Sequence, residues 1–192
     1  MSSNKTPKAA NRTPRRFELR EGTAGAHAAL DEMVGSFDTL ESYRRYLRGI
    51  AAFRLSIDMD VSEWRPALGD WQPNRIDDQL RADLADLGMA PPDPVATTVA
   101  PRNREELFGT LYVLEGSALG ARILFRRAQE LGLRSDYGAR HLARQSTNES
   151  WPSFVALMES ADRLDMDKTI AASVATFRAA QDAFESLADV DR

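Results

Sequence analysis

The chain has 192 residues and no cysteine, which excludes disulfides, thiolate metal sites and a cysteine nucleophile. Its 25 basic and 29 acidic residues leave a formal net charge of −4, against the basic face of a general nucleic-acid binder. No run approaches the roughly 20 apolar residues of a membrane span and the N-terminus carries no apolar signal core, so a cytoplasmic protein with no membrane and no nucleic-acid partner is expected.

Residues 1–16 are polar, with Lys5, Lys8, Arg12, Arg15 and Arg16 and no acidic residue, and read as a mobile basic leader to one helical domain over 17–192. Leu19, Thr23, His27, Leu30 and Val34 step by three and four along a first helix that Pro14 helps to start. Thr39 caps a second, carrying Tyr43, Tyr46, Leu47, Ile50 and Phe53, and Pro66, Gly69 and Pro73 break that run. Asn74 is positioned to cap a third helix with Ile76, Leu80, Leu84 and Leu87. The prolines at 91, 92, 94 and 101 predict an extended connection.

Asn103 followed by Glu106 resembles a capping box and starts a long apolar helix over Glu105 to Ala128, which Gly132 stops. A short helix is expected over Tyr137 to Arg144. Another follows Ser150 with Trp151, Phe154 and Leu157, and a last one over Asp167 to Leu187 presents Ile170, Val174, Phe177, Ala180 and Phe184. No alternating strand pattern and no repeat interrupts this series, so the fold class is all-α.

Two features stand out against that helical background. Gly116 and Gly120 lie four residues apart on one face of the long helix, and each costs about 1 kcal/mol relative to alanine there. Either another helix packs closely on that bare backbone or something flat approaches it. His27, one of two histidines, is flanked by Gly22, Ala24, Gly25 and Ala26. It reads either as a satisfied core residue or as an axial ligand for haem iron, since a planar macrocycle lies near a helix only where neighbouring side chains are short.

On the haem reading, Asp31 is spaced to hold the second ring nitrogen of His27, and Arg20, seven residues before it, to pair with a propionate. Phe177 and Phe184 are then pocket walls; otherwise they are plain core. His141 stands among arginines and reads as a surface or capping residue without chemistry.

Leu19-Arg-Glu-Gly-Thr-Ala-Gly-Ala-His27 resembles the proximal-helix motif of the biliverdin-producing haem oxygenases, Leu-basic-x-x-Thr-x-x-x-His. Tyr112-Val-Leu-Glu-Gly-Ser-Ala-Leu-Gly120 resembles their distal-helix motif. The resemblance covers about residues 17–188 and is strongest with the bacterial branch found beside bacteriophytochromes.

It implies a single-domain helical fold with haem between the first helix and a kinked distal helix, His27 as the iron ligand, and Arg20, Asp31, Tyr112, Phe177 and Phe184 in contact or in support. Gly116, Ser117 and Gly120 would form the catalytic distal segment. Haem would be both substrate and cofactor, cleaved with dioxygen at a meso carbon to biliverdin, carbon monoxide and ferrous iron. An external electron donor, a protein or a small reductant, would supply electrons, and a bacteriophytochrome or other biliverdin acceptor would take the product.

Two places depart from the pattern. Ser117 stands where many animal and plant members carry an aspartate that organises proton-delivering water, and Trp151-Pro-Ser-Phe154 replaces basic residues found before the last helix. These departures leave a non-catalytic haem carrier of the same fold as one alternative, and a haem-free helical interaction module with the basic leader as its docking arm is another. Thiaminase-like enzymes of similar architecture need a cysteine nucleophile, which this chain lacks.

Overall fold

The computed structural model describes residues 14–92, 99–147 and 149–188, with side chains to 186; most of the basic leader and of the proline-rich connection lies outside the described residues. The described residues contain no strand, only isolated bridges such as Ile57 with Val99. The helices are α1 (Arg15–Val34), α2 (Leu40–Leu55), α3 (Arg65–Leu68), α4 (Asp77–Asp86), α5 (Arg104–Gly116), α6 (Ala118–Glu130), α7 (Arg140–Ser146), α8 (Ser150–Ser160) and α9 (Met166–Ala188).

The long α9 is the spine, packed on α1, α2 and α5, while α7 packs across α6 and reaches α4. One apolar cluster holds Phe37, Tyr43, Leu47, Leu80 and Leu84, and another joins Leu19, Leu107, Phe108 and Phe154. Together they fix α1 and the α5–α6 run on the same scaffold.

Local chemistry explains most of the boundaries. Thr39 and Ser42 close a capping box on α2, each side chain bonding the other's backbone N–H. Asn103 Oδ1 accepts the Glu106 N–H at 2.9 Å, and the Glu106 carboxylate reaches back to the Arg102 N–H at 2.9 Å, one residue beyond the usual box.

Helix α1 takes in Arg15 and Arg16, which the sequence pattern assigns to the leader. Their backbone N–H groups both donate to the Glu159 carboxylate of α8 at 3.1 Å, and the Arg15 side chain is buried against the Met158 carbonyl. The cap is thus supplied from another helix, since Pro14 offers none. Glu159→Ala is expected to lower the unfolding free energy by about 1 kcal/mol, read from the urea midpoint.

Asn74 does not cap a helix. Helix α4 begins three residues later, and Asn74 instead donates its N–H to Glu115 and offers its carbonyl to Arg54. Helix α7 begins at Arg140 rather than near Tyr137, because Tyr137 and Arg134 close a tight turn and Gly138 follows at φ 72°. The helix expected over Glu105 to Ala128 is divided at Ser117.

The run Arg104–Glu130 is long and apolar enough to cross a membrane by length and composition, but 56% of its most apolar window is buried within the fold, as a central core helix requires.

Helix α7 is clamped to α4 by charge. Arg140 pairs with Asp86 and, at 3.2 Å, with the fully buried Asp83. The Arg140 guanidinium, with the Gly138 N–H, holds the Asp86 carboxyl below its usual value of 3.8. A depressed folded pKa contributes stability above the unfolded value that is lost as pH falls through the folded one. Asp86→Asn should therefore lower the urea midpoint at pH 7, and the deficit should close as the pH is taken below 3.8.

Candidate functional site

Residues spaced by four overshoot a full helical turn by about 40° per step, so the stripe from Leu19 through Thr23 to His27 rotates out of the core. Leu19 and Thr23 are buried, whereas the His27 side chain is 60% exposed. His27 is therefore not a core residue. Its Nδ1 lies 2.9 Å from Asp31 Oδ2 and its ring meets the edge of Phe177 at 5.6 Å between centroids. With Nδ1–H donated to the carboxylate, which fixes tautomer and ring plane, Nε2 keeps its lone pair for a ligand, as in many metal-binding histidines. Ala24, Gly25 and Ala28 beside it are exposed, and a Cβ built on Gly25 meets nothing within 4 Å.

The interruption between α5 and α6 at Ser117 has a definite cause. The Ser117 hydroxyl donates to the Leu114 carbonyl at 2.7 Å, and the same carbonyl accepts Arg54 Nη1 at 3.4 Å. Side chains that enter the helical hydrogen-bond ladder in this way interrupt it.

Two residues before Ser117, Glu115 is 1% exposed and accepts the Asn74 N–H at 2.7 Å and the Ser150 hydroxyl. Burial lowers the pKa of Arg54, while Asp77 and Glu115 oppose the shift. A cavity of about 30 Å³ lined by Arg54, Asn74 and Leu114 among others has room for a water.

The glycines separate by what surrounds them. A Cβ on Gly109 would sit 2.7 Å from the Thr169 carbonyl oxygen, and one on Gly49 would meet the Phe184 ring at 2.5 Å; these two serve close helix packing. At Gly116 the nearest neighbour would be Trp151 at 3.5 Å, an ordinary contact, and at Gly120 nothing lies within 4 Å. Close helix packing therefore explains neither member of the pair. Gly120 alone faces open space, while Gly116 faces the Trp151 ring.

Other sequence-selected residues divide accordingly. Tyr112 connects the two motifs: burial raises its phenol pKa, while Thr23 and the charge of Arg20, both on α1, oppose the rise. Its ring also packs against Trp151 at 5.6 Å. Arg20 is exposed beside it. Phe177 joins His27, but Phe184 fills the space over Gly49 between α9 and α2, in the core.

His141 is not at the surface. It is fully buried, with Nδ1 2.8 Å from Asp83 Oδ2 and its ring stacked on Tyr46 at 5.9 Å. Asp83 is 58 positions away, beyond any local pattern.

Leu119 and Ile123 were not singled out by the sequence pattern. Both are 63% exposed, unusual for large apolar residues on a helix of this fold, and each lies three residues after a member of the glycine pair. The sequence signal was that spacing.

Residues 77–191 match the family model described as Heme oxygenase. Over 192 aligned positions the chain is 32% identical to Heme oxygenase PigA of Pseudomonas aeruginosa, covering 96% of this chain and 94% of that one. The chain belongs to the heme oxygenase family.

A second relative, Heme oxygenase from Xanthomonas campestris pv. campestris, is 34% identical over 122 residues, 60% of this chain and 68% of that one. The fold matches the NO- and CO-bound heme oxygenase from Neisseria meningitidis with a TM-score of 0.72 at 23% identity, over 91% of this chain and 92% of that one. For this heme oxygenase the family match begins at Asp77, so it takes in the glycine pair and α9 but not His27, whereas the likeness to PigA runs nearly end to end.

Proposed function

We propose that this heme oxygenase binds haem between α1 and the α5–α6 run and cleaves it at a meso carbon to biliverdin, carbon monoxide and ferrous iron. The observation that carries the reading is the open backbone at Gly120, where neither packing nor strain calls for glycine, together with an exposed histidine whose Nδ1 is already engaged. Haem bound there supplies both the iron that takes dioxygen and the porphyrin edge that is oxidised.

The protein's own part is to bind, orient and exclude. His27 offers Nε2 to the iron, with Asp31 fixing its tautomer and ring plane. Arg20 is the propionate partner on α1, and Tyr112 and Phe177 supply walls with contacts already made to that helix. Leu119 and Ile123 offer the apolar surface beside the glycines. Gly116 and Gly120 let the backbone of the distal segment crowd the reacting edge without a side chain, and Ser117 sits between them where α5 gives way to α6.

The role proposed for Ser117 is narrower than that of a carboxylate. Its proton is given to the Leu114 carbonyl, so the hydroxyl meets a distal group or water as an acceptor. Electrons come from an external donor, protein or small reductant. A bacteriophytochrome or another biliverdin acceptor is the proposed receiver of product. A cysteine-free composition supports a reducing, cytoplasmic setting, and the net charge of −4 supports chemistry without nucleic acid.

Hemin titration followed by ascorbate under air tests the reading. The expected result is a saturable one-to-one complex with a histidine-ligated band that gives way to biliverdin on chromatography. A complex that keeps intact haem after reduction in air would leave a carrier instead, and no uptake at all would leave a haem-free module.

A further inference from the structure

Gln145 is buried, 5% exposed, on α7, and its Nε2 donates to Ser117 Oγ at 2.9 Å. Ser117 Oγ is itself 2.7 Å from the Leu114 carbonyl oxygen. Two oxygens that close need a proton between them, and only the hydroxyl has one to give, so Gln145 must present its amide N–H₂ rather than its carbonyl.

The donor is held on a firm support. Helix α7 is clamped to α4 through Arg140 with Asp86 and Asp83 and through His141 with Asp83, and it packs along α6. The α4–α7 clamp thereby reaches Ser117 through one side chain.

We infer that Gln145 is a positioning residue that locks the Ser117 hydroxyl as an acceptor, with its proton on the Leu114 carbonyl, and so sets the polarity of the distal site. This inference rests on the haem-site reading above for its chemical consequence. The lock itself is a property of the haem-free protein. Without Gln145 the hydroxyl is free to rotate and to donate outward, which favours a negative distal ligand over a neutral one.

Gln145→Met keeps the length of the side chain and removes the amide. It is compared with wild type, with Ser117→Ala and with the double variant, so that any effect passing through the Ser117 hydroxyl vanishes when that hydroxyl is gone. The first readout is amide hydrogen exchange in haem-free protein. Exchange over residues 117–121 should speed up about fivefold in Gln145→Met, with α9 unchanged, and no further in the double variant than in Ser117→Ala. The second is the acid–alkaline midpoint of the ferric haem complex, read from the visible spectrum, which should fall by about half a pH unit in Gln145→Met and be insensitive to residue 145 once Ser117 is alanine.

Equal effects of Gln145→Met with and without the Ser117 hydroxyl, or no effect in either background, overturn the lock. Should Gln145→Met fail to fold, Ser117→Ala breaks the same bond from the other side and must show the same local exchange; its absence also overturns the lock. Failure to take up hemin alongside a coupled exchange effect would sink the haem reading and leave the lock standing. Hemin turnover without coupling would do the reverse.

Discussion

His27→Ala protein should take up hemin without the histidine-ligated absorption band and turn it over at least about 100-fold more slowly, since a change that only weakens the support of a metal ligand already costs 10–100-fold. Added imidazole should restore the band in part, because the cavity left on α1 opens to solvent beside Ala24 and Ala28. The variant should keep its fold. The side chain is 60% exposed and touches one carboxylate and one aromatic edge, so the urea midpoint should shift by no more than about 0.5 kcal/mol equivalent. A His27→Ala protein with an unchanged spectrum and undiminished turnover would show that another group holds the iron.

The glycines make the second large contrast. Gly120→Leu should remain folded yet lose nearly all haem turnover, because its side chain enters space that no protein atom occupies. Gly120→Ala should raise stability by up to about 1 kcal/mol through helix propensity alone. Gly109→Ala, a change of the same chemistry one helix earlier, should cost 1–3 kcal/mol or more, because its Cβ would lie 2.7 Å from the Thr169 carbonyl oxygen. Urea melts of the three variants beside a hemin-turnover assay decide the matter. A destabilised Gly120→Ala would return that glycine to a packing role, and an active Gly120→Leu would move the ligand elsewhere.

These contrasts mark where sequence reasoning reached and where it stopped. The caps at Thr39 and Asn103 were legible because capping is a contact within four residues. The partnership of His27 with Asp31 was legible for the same reason, being one helical turn long. The resemblance implies a kinked distal helix, but the place and cause of the interruption at Ser117 were not legible, since half of that cause is Arg54 arriving from α2 at the Leu114 carbonyl. Asn74 looked like a cap from its neighbours alone, yet Glu115 and Arg54 claim its backbone from 41 and 20 positions away. Phe177 and Phe184 share a stripe on α9, and only the approach of α1 to one and of Gly49 to the other tells them apart.

By itself the sequence determined the all-α class, most helix boundaries and the two motifs that resemble a haem oxygenase, because periodicity, capping and propensity act over a turn or two of chain. The tertiary structure decided which glycines are packed and which are bare, that His27 faces outward while His141 is buried, and that Gln145 holds Ser117. Each of those depends on atoms from a distant helix entering or leaving a space of a few ångströms, and no local pattern encodes that.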